Sequence, residues 1–297
     1  MYFPVADIHV QPWLPPLVAF GISFFTSMGG VSGAFLLLPF QISVLGFDSP
    51  SVSATNHIFN IVAIPSGVYQ YIKEGRMVWP ITWAVILGTL PGVLAGAIIR
   101  IKYLPDPTSF KRFAAIVLLY IGLRLIKDLL HKKKKEIPSS SGKKSTDDLQ
   151  VSQGSFNFKH IIFYFDGKEY RTSTPKVMSL CLVVGMIGGI YGIGGGAIIA
   201  PFLVSFFELP VYTVAGAALM GTMITSIAGV IIFQIMALFY KGTTIAPDWQ
   251  LGLLFGLGGF LGMYMGAKTQ RHIKAKYIKT ILALCILFTA FQYINPF

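Results

Sequence analysis

The stretch Gly188-Gly189-Ile190-Tyr191-Gly192-Ile193-Gly194-Gly195-Gly196-Ala197-Ile198-Ile199-Ala200-Pro201 decides the architecture. It sits in the middle of an apolar run, 177–207. One bilayer span takes about 20 residues. The run is therefore too long for one span and too short for two, and its glycines break it near the middle. Each arm would cross roughly half a bilayer or a little more at about 1.5 Å per residue. A second run, 14–46, is broken in the same way at Met28-Gly29-Gly30-Val31-Ser32-Gly33. Laid over one another at an offset of 162, Gly30 meets Gly192, Pro39 meets Pro201 and Phe40 meets Phe202. Val52 with Val214 and Gly67 with Gly229 keep that offset. At an offset of 167, Gly75 meets Gly242, Pro80 meets Pro247 and Gly92 meets Gly259. The remaining apolar runs are 51–72, 78–99, 111–127, 211–239, 249–267 and 278–294. They complete two halves of four runs in the same order, the signature of an internal repeat.

Composition agrees. Of 297 residues, 54% are hydrophobic and 12% charged, with a mean hydropathy of +0.67. A soluble domain carries about twice that charge, so the chain reads as an all-α polytopic membrane protein. Two Cys, 181 and 285, exclude a disulfide framework, a zinc cluster and an iron–sulfur site, and read as core residues. The first seven residues carry no basic n-region, so no cleavable signal peptide is expected and the first apolar run stays in the mature chain. The net charge of +12 lies in short segments between apolar runs rather than on one face. That pattern sets membrane topology and excludes a nucleic-acid partner. The chain holds no Gly-x-Ser-x-Gly, no His-Glu-x-x-His and no Gly-x-x-x-x-Gly-Lys. Enzyme chemistry, a metal centre, a cofactor and ATP coupling are not expected.

Three regions follow: an N-terminal transmembrane repeat, 1–130; a basic cytoplasmic linker, 131–175; and a C-terminal transmembrane repeat, 176–297. The linker opens with Lys132-Lys133-Lys134-Lys135 and a polar stretch, 138–144. It closes with two strand-like runs around Asp166-Gly167, a β-hairpin signal. If the broken runs are continuous helices, the halves are parallel. If each is a re-entrant hairpin followed by three spans, the halves are inverted. The hairpin arrangement puts 19 of the 24 Lys and Arg on one side: Lys73, Arg76, all from Arg124 to Lys176, and all from Lys268 to Lys279. The positive-inside rule favours it and makes that side cytoplasmic.

Non-helical backbone within a bilayer must be packed in protein or line a polar cavity. Inverted repeats with broken helices mark transporters that bind substrate near the midplane. Gly194, Gly195 and Gly196, with Ser32 and Gly33 in the first half, leave backbone N–H groups open to a small ligand. The helix beginning near Ala197 would turn its positive end toward that spot, which suits an anion. The competing reading is close helix packing through small residues. The second run of each half adds polar groups. Asn56 and Asn60 share a helix face one turn apart, with His57 beside them. Thr222 and Ser226 lie in the matching run, together with Thr225 and Gln234. His57 carries either a coupling proton or a structural hydrogen bond.

The motif at 189–201, its weaker copy at 29–39 and the four-plus-four layout resemble the TauE/SafE sulfite exporter family of permeases. The resemblance spans about 14–127 and 177–294, with Ser32 and Ala34 in place of glycine in the first copy. It implies a multi-pass plasma-membrane protein that moves sulfite, organosulfonates or related sulfur anions, in many members outward. The expectation is a secondary transporter of small sulfur oxyanions, with a coupling proton or sodium ion. Ser32, Gly33, Asn56, Asn60, Gly194, Gly195, Gly196, Thr222 and Ser226 would bind the anion. An anion channel and a non-transporting membrane scaffold or receptor are the alternatives.

Overall fold

A computed structural model describes residues 1–28, 31–130, 151–240 and 242–269, with single positions between 280 and 293. Gly29, Gly30, the Lys132–Lys135 run, the polar stretch 138–144, positions 270–279 and Cys285 lie outside the described residues.

The first broken run forms α1 (Leu14–Met28) and α2 (Ala34–Ser43). Three long helices follow: α3 (Ser51–Lys73), α4 (Trp79–Tyr103) and α5 (Pro107–Leu130). The second broken run forms α6 (Thr174–Tyr191) and α7 (Ile199–Phe207), and then come α8 (Val211–Phe239) and α9 (Trp249–Thr269). Among the described residues α4, α6, α8 and α9 are long and apolar enough to cross a membrane. α1, α2 and α7 have 15, 10 and 9 residues, too few for a full span. α3 is long but carries the buried polar groups. Both breaks fall where the chain was expected to leave helical geometry. At the second, Gly192 and Gly194 take positive φ, +80° and +82°, which favours glycine. The Gly192 and Ile193 N–H groups close the end of α6 on the Gly188 carbonyl.

Contacts set the helix directions. Gly252, Gly256 and Met263 of α9 meet Ile58, Val62 and Gly67 in turn, so α9 runs parallel to α3. Gly258, Gly262 and Gly266 meet Pro16, Phe20 and Phe24, so α1 runs the same way. On α4, Gly88, Gly92 and Gly96 meet Met178, Leu182 and Met186, which makes α4 parallel to α6. α8 runs with α4, since Val85 meets Gly221 and both Thr89 and Thr225 touch Gly195. α3 and α8 are antiparallel: Gly67 meets Leu219, Asn60 bonds Ser226, and His57 meets Gly229. α1, α3 and α9 thus point one way, and α4, α6 and α8 the other. Two glycine stripes at every fourth residue hold α4 against α6 and α9 against α1. A Cβ on Gly92 would lie 2.3 Å from the Leu182 carbonyl oxygen, and one on Gly262 2.4 Å from that of Phe20. Close helix approach through small residues is the standard packing device in lipid. Cys181 is buried where Gly88 crosses it, as a core residue.

The hairpin expected around Asp166-Gly167 is present and belongs to a larger sheet. The strands are β3 (Ser152–Phe156), β4 (His160–Phe165) and β5 (Lys168–Ser173), antiparallel in that order. Asp166 and Gly167 both have positive φ, the signature of a tight hairpin turn. Ile161, Phe163 and Phe165 face inward at every second position. The sheet packs on α4, and Val151 N–H donates to the Gly75 carbonyl at 3.0 Å. β5 runs straight into α6, which starts at Thr174 rather than Lys176. The third strand was not foreseen, because Ser152-Gln153-Gly154-Ser155 lacks a hydrophobic alternation. Nor was the two-residue ribbon of β1 (Tyr2–Phe3) with β2 (Ile8–His9) near the start of the chain.

Candidate functional site

The two breaks and the middles of α3 and α8 meet at one buried point with Asn60 at its centre. Ser32, Asn56, His57, Asn60, Thr222, Thr225 and Ser226 are all fully buried there. Ser32 Oγ donates to Asn60 Oδ1. Asn60 Nδ2 donates to the Ile193 carbonyl at 2.9 Å and to Ser226 Oγ at 3.1 Å. One amide therefore ties the first break, the second break and α8 together. A turn away, Asn56 Nδ2 repeats the bridge, donating to the Ala34 carbonyl at 3.0 Å and the Gly192 carbonyl at 3.3 Å. Gln41 of α2 donates to Asn56 Oδ1 at 3.4 Å.

Ser226 extends the network. Its oxygen accepts from Asn60, and its own proton is assigned to His57 Nδ1, 3.2 Å away. The assignment follows from the network and leaves the ring proton on Nε2. Among the described residues that nitrogen has no hydrogen-bond partner, and it lies against Gly229, where a Cβ would sit 2.6 Å from it. The donors run in series from Ser32 through Asn60 and Ser226 to His57.

The glycines of the second break are tightly packed. A Cβ on Gly194 would lie 2.9 Å from Ser226 Oγ, one on Gly195 2.4 Å from Thr89 Cβ, and one on Gly196 2.2 Å from the Ala218 carbonyl oxygen. A Cβ on Gly33 would lie 2.7 Å from Ser23 Oγ. The space expected for a ligand beside Gly195 is taken up by Thr89 and Val93. Thr222 is at the site, but its hydroxyl donates to Ala218 of its own helix at 2.8 Å. Gln234 is exposed and takes no part. Among the described residues, the N–H groups of Ser32, Gly33, Gly194 and Gly196 find no protein acceptor.

Ser53 and Gln41 were not picked out from the sequence, and Thr225 was named among the polar groups of its run but not assigned to the anion. Thr225 Oγ1 accepts the Gly195 N–H at 3.0 Å. Ser53 Oγ approaches the Tyr191 carbonyl at 3.5 Å. Gln41 had a readable signal, being the only carboxamide in the run 14–46. Thr225 had one too, one residue before Ser226. Ser53 had none.

Two broken helices thus bring backbone donors and buried amides to one point between two opposed helix sets. The sulfite exporter TauE/SafE family matches residues 16–293, across both halves. The chain belongs to that family. It is 22% identical over 229 residues to the probable membrane transporter protein YunE of Bacillus subtilis (strain 168), covering 77% of this chain and 75% of that one. It is 31% identical over 121 residues to the probable membrane transporter protein ORF9 of Sinorhizobium sp, covering 40% of this chain and 43% of that one. No solved structure matches it significantly. This TauE/SafE member is a multi-pass membrane transporter, and its family and relatives are transporters rather than enzymes.

Proposed function

We propose that the chain is a secondary transporter that exports small sulfur oxyanions, sulfite or an organosulfonate, across the plasma membrane by alternating access. The observation that carries this reading is the position of Asn60, hydrogen-bonded to Ser32 in one half and to Ile193 and Ser226 in the other. An arriving anion takes the Asn60 Nδ2 protons and the N–H groups of Ser32, Gly33, Gly194 and Gly196. To do so it displaces the Ile193 carbonyl and Ser226 from Asn60. Binding then loosens the tie between the two breaks, and the halves can rock about the site. Asn56 stays as the second bridge, and Thr222 shapes the wall beside Gly194 and Gly196. His57 supplies the coupling proton.

The halves are inverted repeats of a re-entrant hairpin plus three spans, with the sheet-bearing linker in the cytoplasm. Three things support this. α1 and α6 belong to opposite helix sets. Their partner helices exchange, α1 with α9 and α6 with α4. The contact points also lie 162 residues apart: Gly262 meets Phe20 and Ser23, while Gly92 meets Leu182 and Gly185. Gly92 is thereby paired with Gly262; Gly259 instead faces Phe59 and Ala63 of α3.

The deciding experiment is uptake of radiolabelled sulfite, sulfate and a sulfonate into proteoliposomes, with and without a proton gradient. Saturable uptake of sulfite or sulfonate that shows counterflow supports the carrier; no uptake of either anion sinks it. In a Cys-free background, Lys168→Cys and Lys268→Cys should react with an impermeant thiol reagent from one side and Lys102→Cys from the other. Opposite accessibilities of the first two would refute the inverted arrangement.

A further inference from the structure

Arg100, in the last turn of α4, is fully buried, and the central cluster does not use it. Only one of its nitrogens is engaged: Nη1 donates to the Leu104 carbonyl, just past the end of the helix. Nε and Nη2 have no partner among the described residues. Those two nitrogens form one edge of the guanidinium, with two parallel N–H donors side by side. That edge matches two oxygens of a carboxylate, sulfonate or sulfite, the bidentate mode in which Arg outperforms Lys.

A structural role accounts for Nη1 and not for the rest. Capping one carbonyl needs a single donor, whereas leaving a buried cation half unsatisfied is costly. Asp48 and Asp106 lie close enough to act on the charge, yet neither hydrogen-bonds to it. Asp106 is committed elsewhere: it accepts the Ser109 N–H at 2.7 Å at the start of α5, which holds its carboxyl below the usual value. Charged residues on membrane-spanning helices are rare and mark ion or substrate paths.

The position fits a path. The guanidinium carbon lies 3.9 Å above the Phe110 ring. Phe110 packs on Tyr191 with ring centroids 6.1 Å apart. Tyr191 is the last residue of α6 before the second break, and its buried hydroxyl has no partner among the described residues. Arg100 therefore stands one aromatic ring away from the end of the broken helix, at the end of α4 opposite the linker sheet.

We propose that Arg100 is a second oxyanion site, a side-on guanidinium fork that holds the transported anion between the bulk phase and the Asn60 cluster. Phe110 is the plate between the two stations. The proposal rests on the anion-transport reading for its ligand, and its test is a binding measurement rather than a transport one.

The test reads the anion-dependent rise in melting temperature of the purified full-length protein, with sulfite and with methanesulfonate at constant ionic strength. Asn60→Asp keeps the side-chain volume and puts a repelling carboxylate in the central cluster. This variant is expected to retain a saturable rise. Adding Arg100→Gln should abolish it. Arg100→Lys on the same background keeps the charge and a donor for Leu104, so it should fold, and binding should weaken at least about tenfold for loss of the fork. No rise in Asn60→Asp, a rise that survives Arg100→Gln, or a Lys variant that binds as tightly as Arg would each overturn the proposal. Absence of sulfite uptake by the unmodified protein would instead defeat the transport reading and leave this binding result standing.

Discussion

The two breaks occupy matching places and solve the same problem with different residues. In the first, the side chain that steadies the loop is in the loop: Ser32 Oγ accepts the Ala34 N–H at 3.2 Å and donates to Asn60. In the second, position 194 is glycine, and the hydroxyl comes from the facing helix, where Thr225 accepts the Gly195 N–H. The residue 162 positions before Thr225 is Ala63, which offers nothing. The polar load is divided unevenly as well. α3 brings two amides and an imidazole, and α8 brings only hydroxyls. The proposed repeat frame would thus carry an asymmetric site. Substitutions at matched positions should therefore give unequal effects, and the inequality can be measured.

The largest effect is expected at Gly192. Alanine there would keep a left-handed φ, which costs about 1–2 kcal/mol by itself, and its Cβ would lie 2.5 Å from the backbone Cα of Ser53. Gly192→Ala should lose most of the folded protein. Gly33→Ala meets chiefly the Ser23 hydroxyl, which can rotate away, and should be recovered folded with a lowered melting temperature. Size-exclusion profiles and melting curves in detergent would compare the two. Equal yields would mean that the second break is no more constrained than the first.

The next contrast is Asn60→Leu against Thr222→Val, positions related by the 162 offset. Asn60→Leu removes the only group that, among the described residues, bonds both breaks and α8. Transport should fall at least about a hundredfold, equivalent to ~2.7 kcal/mol. Thr222→Val removes a hydroxyl that serves its own helix and should change the rate less than about threefold. A severe Thr222→Val defect would return that hydroxyl to the substrate.

The hydroxyls come third. Ser32→Ala strands the Ala34 N–H and the Asn60 carbonyl oxygen, whereas Thr225→Val strands only the Gly195 N–H. At about 1–3 kcal/mol per buried unsatisfied group, both should lower the melting temperature, Ser32→Ala by more. The reverse order would show that the second break depends on its borrowed hydroxyl more than the first does on its own.

What could be read in advance has a physical pattern. The glycine breaks, the apolar runs and the Asp166-Gly167 turn were legible because each is a local signal: backbone freedom, length, or a turn conformation. Asn56, Asn60 and Ser226 were legible because polar groups in apolar runs face inward. The packing of Gly195 on Thr89 was not, since crossing helices bring together residues over a hundred positions apart and leave no periodic trace. The proposed pairing of Gly92 with Gly262 was not legible for a related reason. Two glycine stripes on α9, one facing α1 and one facing α3, offered two alignments, and the sequence alone favoured Gly259. Arg100 read as a loop charge because it follows an apolar run; in the structure it is still helical and lies buried against Phe110 of α5.

His57 is the subtlest difference between the halves, because α8 has no titratable counterpart in the network. Its ring touches Ser226, Gly229 and Phe233, none of them charged. With Nδ1 accepting from Ser226, a proton gained there reverses that hydrogen bond, and Ser226 must direct its own proton elsewhere. The change passes along the series to Asn60, the group assigned to the anion. It also brings a positive charge beside that anion. Uptake should then rise as pH falls, and His57→Gln should flatten the profile between about pH 5 and 8 while keeping a hydrogen-bonding side chain for Ser226. A structural imidazole predicts otherwise: His57→Gln would alter yield or melting temperature and leave the shape of the profile alone. An unchanged profile at wild-type expression would remove the proton from His57 and make a sodium gradient the next driving force to test.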